Sequence, residues 1–152
     1  MIIWLTGQPG AGKTTLADAL QDMYLPWAFR IDGDDLRALT ENQDYTRKGR
    51  LENIKTAQKI AHYLHNQKKT VIVSLVSPYK FQRETFKKKL NGDLIEFYIH
   101  TDSVRERDHY KLDNYEPPLV DFHLVDTTAT TPMDSGREIW SAVRTFIGNG
   151  RD

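Results

Sequence analysis

Apolar and polar positions in this chain change period several times. The opening "MIIWLTG" is a short, largely apolar run ending at Gly7 and reads as a strand. Residues 13–24 place Leu16, Ala19, Leu20 and Met23 at helical spacing. "WAFRID", 27–32, predicts a second strand. Residues 47–68 predict a long helix with Leu51, Ile54, Gln58, Ala61 and Leu64 along one stripe. "TVIVSLV", 70–76, is β-branched and apolar, as a strand buried on both faces requires. Pro78 opens a helix that runs through a Lys-rich face to Leu90. "LIEFYIH" and "FHLVDT" are the fourth and fifth strands. A last helix over 134–147 packs Ile139, Trp140, Val143 and Phe146, and the tail "GNGRD" frays. Trp4, Trp27 and Trp140 are expected in the core. This alternation predicts an α/β fold with a parallel sheet and helices on both faces. The polar segment 105–118, "RERDHYKLDNYEPP", reads as a helix end and then a loop over the carboxyl ends of the strands, where such folds bind ligands.

The turn after the first strand carries the chemistry. "GQPGAGKT", Gly7 to Thr14, matches G-x-x-x-x-G-K-[ST] between an apolar strand and an amphipathic helix. Glycines let backbone N–H groups curl around a phosphate, so Gly7, Gln8, Pro9, Gly10, Ala11 and Gly12 form a cradle. The helix start adds free N–H groups and a positive dipole end. Lys13 supplies charge to the β- and γ-phosphates, Thr14 offers a hydroxyl oxygen to Mg²⁺, and Thr15 contacts a phosphate further back. The expected fold is therefore a P-loop NTPase α/β/α sandwich around a five-stranded parallel sheet, with ATP and Mg²⁺ as cofactors. A guanine-reading N-K-x-D is absent. "TVIVSLV" also lacks the acid that ends the magnesium-binding strand of motor ATPases, so an acid must come from elsewhere.

"IDGDDLR", Ile31 to Arg37, follows the second strand and belongs on the same rim. Taken alone, D-G-D-D is a capped helix start with surface charges. Beside a phosphate loop it becomes a functional turn in which Asp32 and Asp34 face the cleft. A carboxylate there orients a metal-bound water or accepts the proton of an attacking hydroxyl, which places Asp34 both in catalysis and, with Thr14, at the metal. Asp35 reads as the N-cap or a solvated acid. Arg37, one helical turn on, grips an anionic acceptor. In "DYTRKGRLENI", Tyr45 is a stacking face for a base, while Arg50 and Asn53 share one helix side as a charged fork and an amide. Ser77 ends the third strand on the same rim. Lys87, Lys88 and Lys89 read as a solvated helix face.

The bulk properties narrow the partners. The 152 residues suit one domain, 1–152. Lys plus Arg equals Asp plus Glu at 21 each, so no global basic field drives nucleic-acid binding, and such a partner is disfavoured. There is no cysteine, which excludes disulfides, thiolate zinc sites and cysteine nucleophiles. The start has no basic leader region and no segment has the length of a membrane span, so a cytoplasmic protein is expected. A homodimer is compatible with the sequence. His62, His65, His100, His109 and His123 form no convincing ligand set.

The ordered motifs resemble the adenylylsulfate kinase (APS kinase) family: "GQPGAGKTTLA", "DGDDLR", "NQDYTRKGRLENI", "SLVSPYKFQR", "RERD", "YEPP" and "VDTT" follow the family's order over nearly the whole chain. The resemblance implies transfer of the γ-phosphate of ATP to the 3′-hydroxyl of adenosine 5′-phosphosulfate (APS), giving PAPS. It implies Lys13 and Thr14 at ATP and Mg²⁺, Asp34 near the attacking hydroxyl, and Arg37, Arg50 and Asn53 at the acceptor. It also implies Tyr45 in place of a stacking phenylalanine, Ser77 in the acceptor loop, and Arg107 at the lid base near ATP. Three departures stand out. Asp35 replaces an Asn, Gly49 replaces an Asp, and only "HYKLDN" separates "RERD" from "YEPP", where the family carries a longer basic lid with a second aromatic. A shortened lid is expected to weaken water exclusion and acceptor grip. Two other readings remain open: a kinase for another hydroxyl, on a nucleoside, nucleotide or nucleic-acid end, and a nucleotide-binding protein that has lost catalysis.

Overall fold

The strands take up their positions because β-branched and apolar runs need burial on both faces. The structure, a computed structural model, describes residues 1–103 and 111–150. Its strands are β1 (Ile2–Thr6), β2 (Phe29–Asp32), β3 (Val71–Ser74), β4 (Leu94–His100) and β5 (His123–Asp126). They form one parallel sheet in the order β2-β3-β1-β4-β5. The helices are α1 (Lys13–Tyr24), α2 (Gly33–Thr40), α3 (Arg47–Asn66), α4 (Lys80–Leu90) and α5 (Pro132–Gly150).

Alternation along β1 splits the core into two layers. Ile3 and Leu5 pack with Leu16 and Leu20 of α1 and with Ile139 and Val143 of α5. Ile2 and Trp4 pack on the other face with Leu36, Ile54, Ala57, Ala61 and Phe86 of α2, α3 and α4. The expected three-layer sandwich is thus present, with all strand ends that follow a β-strand on one rim.

The boundaries differ from expectation where single residues decide. β2 begins at Phe29, and Trp27 stands 67% exposed outside the core. Trp140 is partly buried and stacks on Tyr24 at 5.2 Å between ring centroids. α4 begins at Lys80 with Tyr79 as its N-cap, so Pro78 precedes the helix. α5 extends from Pro132 to Gly150, past the limits that the apolar stripe marks, so the tail is helical to that point. The N-cap of α2 is Asp32, whose side chain accepts from the Asp34 amide at 3.2 Å. Asp35 instead lies exposed in the first turn, where its charge favours the positive helix end.

One buried charge cluster escaped the pattern. Glu96 on β4 is 2% exposed in an otherwise apolar strand. Arg83 Nε lies 3.0 Å from it and Lys87 Nζ contacts its other oxygen. Lys87 therefore turns inward, away from the solvated face expected for 87–89.

Candidate active site

The phosphate loop joins β1 to α1 over the sheet's carboxyl rim. Gly10 and Gly12 have φ of 82° and 101°, conformations that side-chain-bearing residues avoid. A Cβ on Gly7 would meet the Ile99 carbonyl at 2.3 Å, so glycine permits the close approach to β4. Lys13 is 8% exposed and its Nζ donates to the Gln8 carbonyl at 2.8 Å. From the far side, the Thr127 hydroxyl donates to the Ala11 carbonyl at 2.9 Å, so the residue after β5 braces the loop. Thr127 belongs to "VDTT", a motif with no assigned role at the sequence level.

The missing acid of β3 is supplied one strand away. β2 and β3 pair Asp32 with Ser74, the residue that ends β3. The Ser74 hydroxyl donates to Asp32 Oδ1 at 2.7 Å, and so does the Thr14 hydroxyl at 2.7 Å. The carboxylate that accepts from Thr14 is that of Asp32. Arg30 reinforces the row by reaching Ser74 at 3.5 Å and Asp18 at 2.6 Å. Asp34 is exposed and lines the cleft further along.

Arg37 does more local work than an open anion grip. Its Nη1 donates to the Asn42 carbonyl, the Asn42 side-chain oxygen and the Asp44 carbonyl, each at 3.1 Å. Its guanidinium also lies 4.1 Å from the centroid of the Tyr45 ring. One ring face is thus covered by a cation, while Tyr45 as a whole is 60% exposed. Asp44 in turn accepts from the Thr46 amide at 2.9 Å, and hydrogen bonds from Thr46 hold its carboxyl below the usual carboxylate range. Thr46 caps α3 by accepting from the Gly49 amide at 3.4 Å.

This turn accounts for Gly49. A Cβ there would stand 2.1 Å from the Asp44 carbonyl and 2.4 Å from its carboxyl carbon. Gly-to-Ala replacement in a helix ordinarily stabilises by about 1 kcal/mol. Gly49→Ala is expected to do the reverse, destabilising by about 1–3 kcal/mol because backbone must move to relieve the overlap. Urea unfolding of the variant checks the sign; a stabilised variant would show that the turn yields freely.

Asn53 is 5% exposed, and its buried side-chain oxygen has no hydrogen-bond partner among the described residues. Arg50 is half-buried, and among the described residues no carboxylate pairs with it. Both line the cleft. Ser77 also lines it, but its hydroxyl accepts from Trp4 Nε1 at 3.2 Å and the residue is 1% exposed. Ser77 itself sits at a φ of 44° in the β3–α4 loop, and its hydroxyl, accepting from Trp4, keeps its own proton to donate. Thr15 lines the nucleotide end. Arg107, together with His109, lies outside the described residues.

The "YEPP" segment is a staple. The Tyr115 hydroxyl pairs with the Thr6 hydroxyl at 2.8 Å, its ring stacks on Tyr98 at 5.9 Å, and burial pushes the phenol far above its usual range. The Glu116 amide donates to the Pro78 carbonyl at 2.9 Å, and its carboxylate accepts from the Lys80 amide at 2.8 Å at the start of α4. Arg83 donates to the carbonyls of Ser77 and Glu116 while paired with Glu96. One cleft of about 840 Å³ results, running from Lys13 and Thr14 past Asp32 and Asp34 to Tyr45, Arg50 and Asn53.

A family model for adenylylsulphate kinase matches residues 1–116, from β1 to the end of this staple. The chain belongs to the adenylylsulphate kinase family. A probable adenylyl-sulfate kinase of Aeropyrum pernix is 31% identical, covering 97% of this chain and 94% of its own length. An adenylyl-sulfate kinase of Microcystis aeruginosa is 29% identical over 91% of this chain and 88% of its own. An APS kinase of Mycobacterium tuberculosis, solved with AMPPNP and APS, has the same fold with a TM-score of 0.79 over 94% of this chain and 96% of that one, at 19% identity. Within this chain, two departures from the family pattern become physical statements. Asp35 does not line the cleft, so its charge is spent on the α2 start. Gly49 makes room for the Asp44 turn that seats Arg37 and Tyr45.

Proposed function

We propose that this chain transfers the γ-phosphate of ATP to the 3′-hydroxyl of adenosine 5′-phosphosulfate, giving PAPS and ADP. The observation that carries the reading is the single cleft in which the phosphate loop and an acceptor wall of Tyr45, Arg50 and Asn53 meet across Asp34. The relatives named as adenylyl-sulfate kinases support the choice of acceptor. Lys13 binds the β- and γ-phosphates, and the backbone of 7–12 surrounds them. Asp34 orients the acceptor hydroxyl and takes its proton as the new O–P bond forms and the bond from the γ-phosphorus to the bridging β–γ oxygen breaks, releasing ADP. Asn53 offers its unpaired oxygen to a donor on the acceptor, and Arg50 attracts the anionic phosphosulfate. Tyr45 presents its uncovered face to the base.

The residues fit a magnesium ion. Hard oxygen donors suit Mg²⁺, and the Thr14 hydroxyl and Asp32 carboxylate stand together at the phosphate loop. Thr14 and Asp32 would hold the ion, with Asp34 near it, and the ion would supply charge neutralisation for the phosphates. Among the described residues no helix is long and apolar enough to cross a membrane.

An ADP-release assay with APS, with a nucleic-acid 5′-hydroxyl end and without acceptor separates the alternatives. ADP formed with APS alone is expected. Turnover only with a nucleic-acid end would replace the acceptor, and tight ATP binding without turnover on any acceptor would mark a chain that has lost catalysis.

A further inference from the structure

Gln8 occupies a position of the phosphate loop at which the motif specifies no residue type. Its side chain is nonetheless held by a reciprocal pair of hydrogen bonds. Nε2 donates to the Leu112 carbonyl at 2.8 Å, and Oε1 accepts from the Leu112 amide at 2.9 Å. A primary amide is the side-chain group that can fill both roles at once; a carboxylate lacks the donor and an aliphatic chain lacks both. The Gln8 main-chain carbonyl meanwhile accepts from Lys13 Nζ at 2.8 Å. One residue therefore touches both the phosphate-binding lysine and the segment that follows the last polar stretch of the rim.

Leu112 lines the cleft, together with Tyr45 and Asn53. The neighbouring anchors fix which side it occupies. Tyr115 is bound to Thr6, and Glu116 to Pro78 and Lys80, so the segment follows the end of β1 and the β3–α4 loop. That is the acceptor side of the phosphate loop.

We propose that Gln8 is a positioning residue that sets Leu112 as the apolar wall of the acceptor site, and that the Leu112 side chain determines acceptor affinity. This rests on the kinase reading above for the identity of the acceptor, but the Gln8–Leu112 link is readable without it. Because both bonds run to the backbone of Leu112, the link fixes where this part of the cleft lining stands whatever the side chain is.

The test combines NMR-detected amide hydrogen exchange with steady-state kinetics on the whole chain, for Gln8→Leu and Leu112→Ala. In Gln8→Leu the Leu112 amide is expected to exchange roughly tenfold faster or more, as loss of hydrogen bonds worth about 1 kcal/mol each implies. The KM for APS at saturating ATP is expected to rise about tenfold, with kcat changing much less. In Leu112→Ala the residue-112 amide stays protected as in the parent, while the KM for APS rises by a similar factor, since methylenes in an apolar contact are worth about tenfold or more. Unchanged exchange in Gln8→Leu would overturn the positioning role. An APS KM unchanged in both variants, with only a lowered Tm, would reduce the link to structure alone. If the parent turns over no APS, the functional reading fails, and the exchange rate alone decides the role of Gln8.

Discussion

Replacing Asp34 by asparagine is expected to lower kcat by roughly 10²–10⁴-fold, the range for loss of a positioned acid–base group, while nucleotide affinity stays close to that of the parent. The separation follows from how the turn divides its tasks. Asp32 caps α2 and meets Thr14, and the cap bond is received by its carboxylate from the backbone amide of residue 34. The Asp34 side chain is not the cap acceptor, and it stands exposed in the cleft. Asparagine keeps its shape, so α2 and the cradle retain their partners. The variant loses the carboxylate that the proposed reaction uses to take or orient the acceptor proton. Single-turnover kinetics with a fluorescent nucleotide titration check both halves. Turnover like that of the parent would remove Asp34 from the reaction.

The second large effect is on stability. Glu96→Gln is expected to destabilise the protein by about 3–5 kcal/mol, the cost of breaking a buried ion pair from one side, and to lower Tm by roughly 10 °C for a chain of this size. Arg83 and Glu96 are only 3% and 2% exposed at their side chains. Glutamine leaves the guanidinium buried without its counter-charge, and Lys87 loses the same partner. Arg83 also holds the carbonyls of Ser77 and Glu116, so the damage reaches the wall of the cleft. Differential scanning calorimetry measures the effect. A Tm within about 2 °C of the parent, well under the shift that such a loss implies, would mean that water or rearrangement replaces the pair.

The layers of the fold were legible because period and composition agreed. Continuous apolar runs marked the central strands, and helical stripes marked α1, α3 and α5. Trp27 was not, since an aromatic beside a strand carries no sign of which side of the strand's first residue the sheet begins. The phosphate loop was legible because its geometry demands glycine, at Gly10 and Gly12 in particular. The acid beside Thr14 was harder. Asp32 and Asp34 look alike in sequence, and what distinguishes them is a strand register that pairs Asp32 with Ser74. Glu96 was hidden for a related reason: a lone acid in an apolar strand is explained only by Arg83, which reaches it from α4. The roles of Gln8 and Tyr115 depend on partners more than a hundred positions away, |i−j| of 104 and 109, and no local pattern carries them.

The bond between Thr6 and Tyr115 has a consequence for how the molecule forms. Closing a loop of that length costs conformational entropy that one hydrogen bond does not offset. It contributes only after β1, β3 and β4 already lie side by side, so it cannot nucleate the sheet and instead registers its completion. By that argument the Thr6–Tyr115 bond belongs to the late side of the folding barrier, and losing it is expected to speed unfolding more than it slows folding.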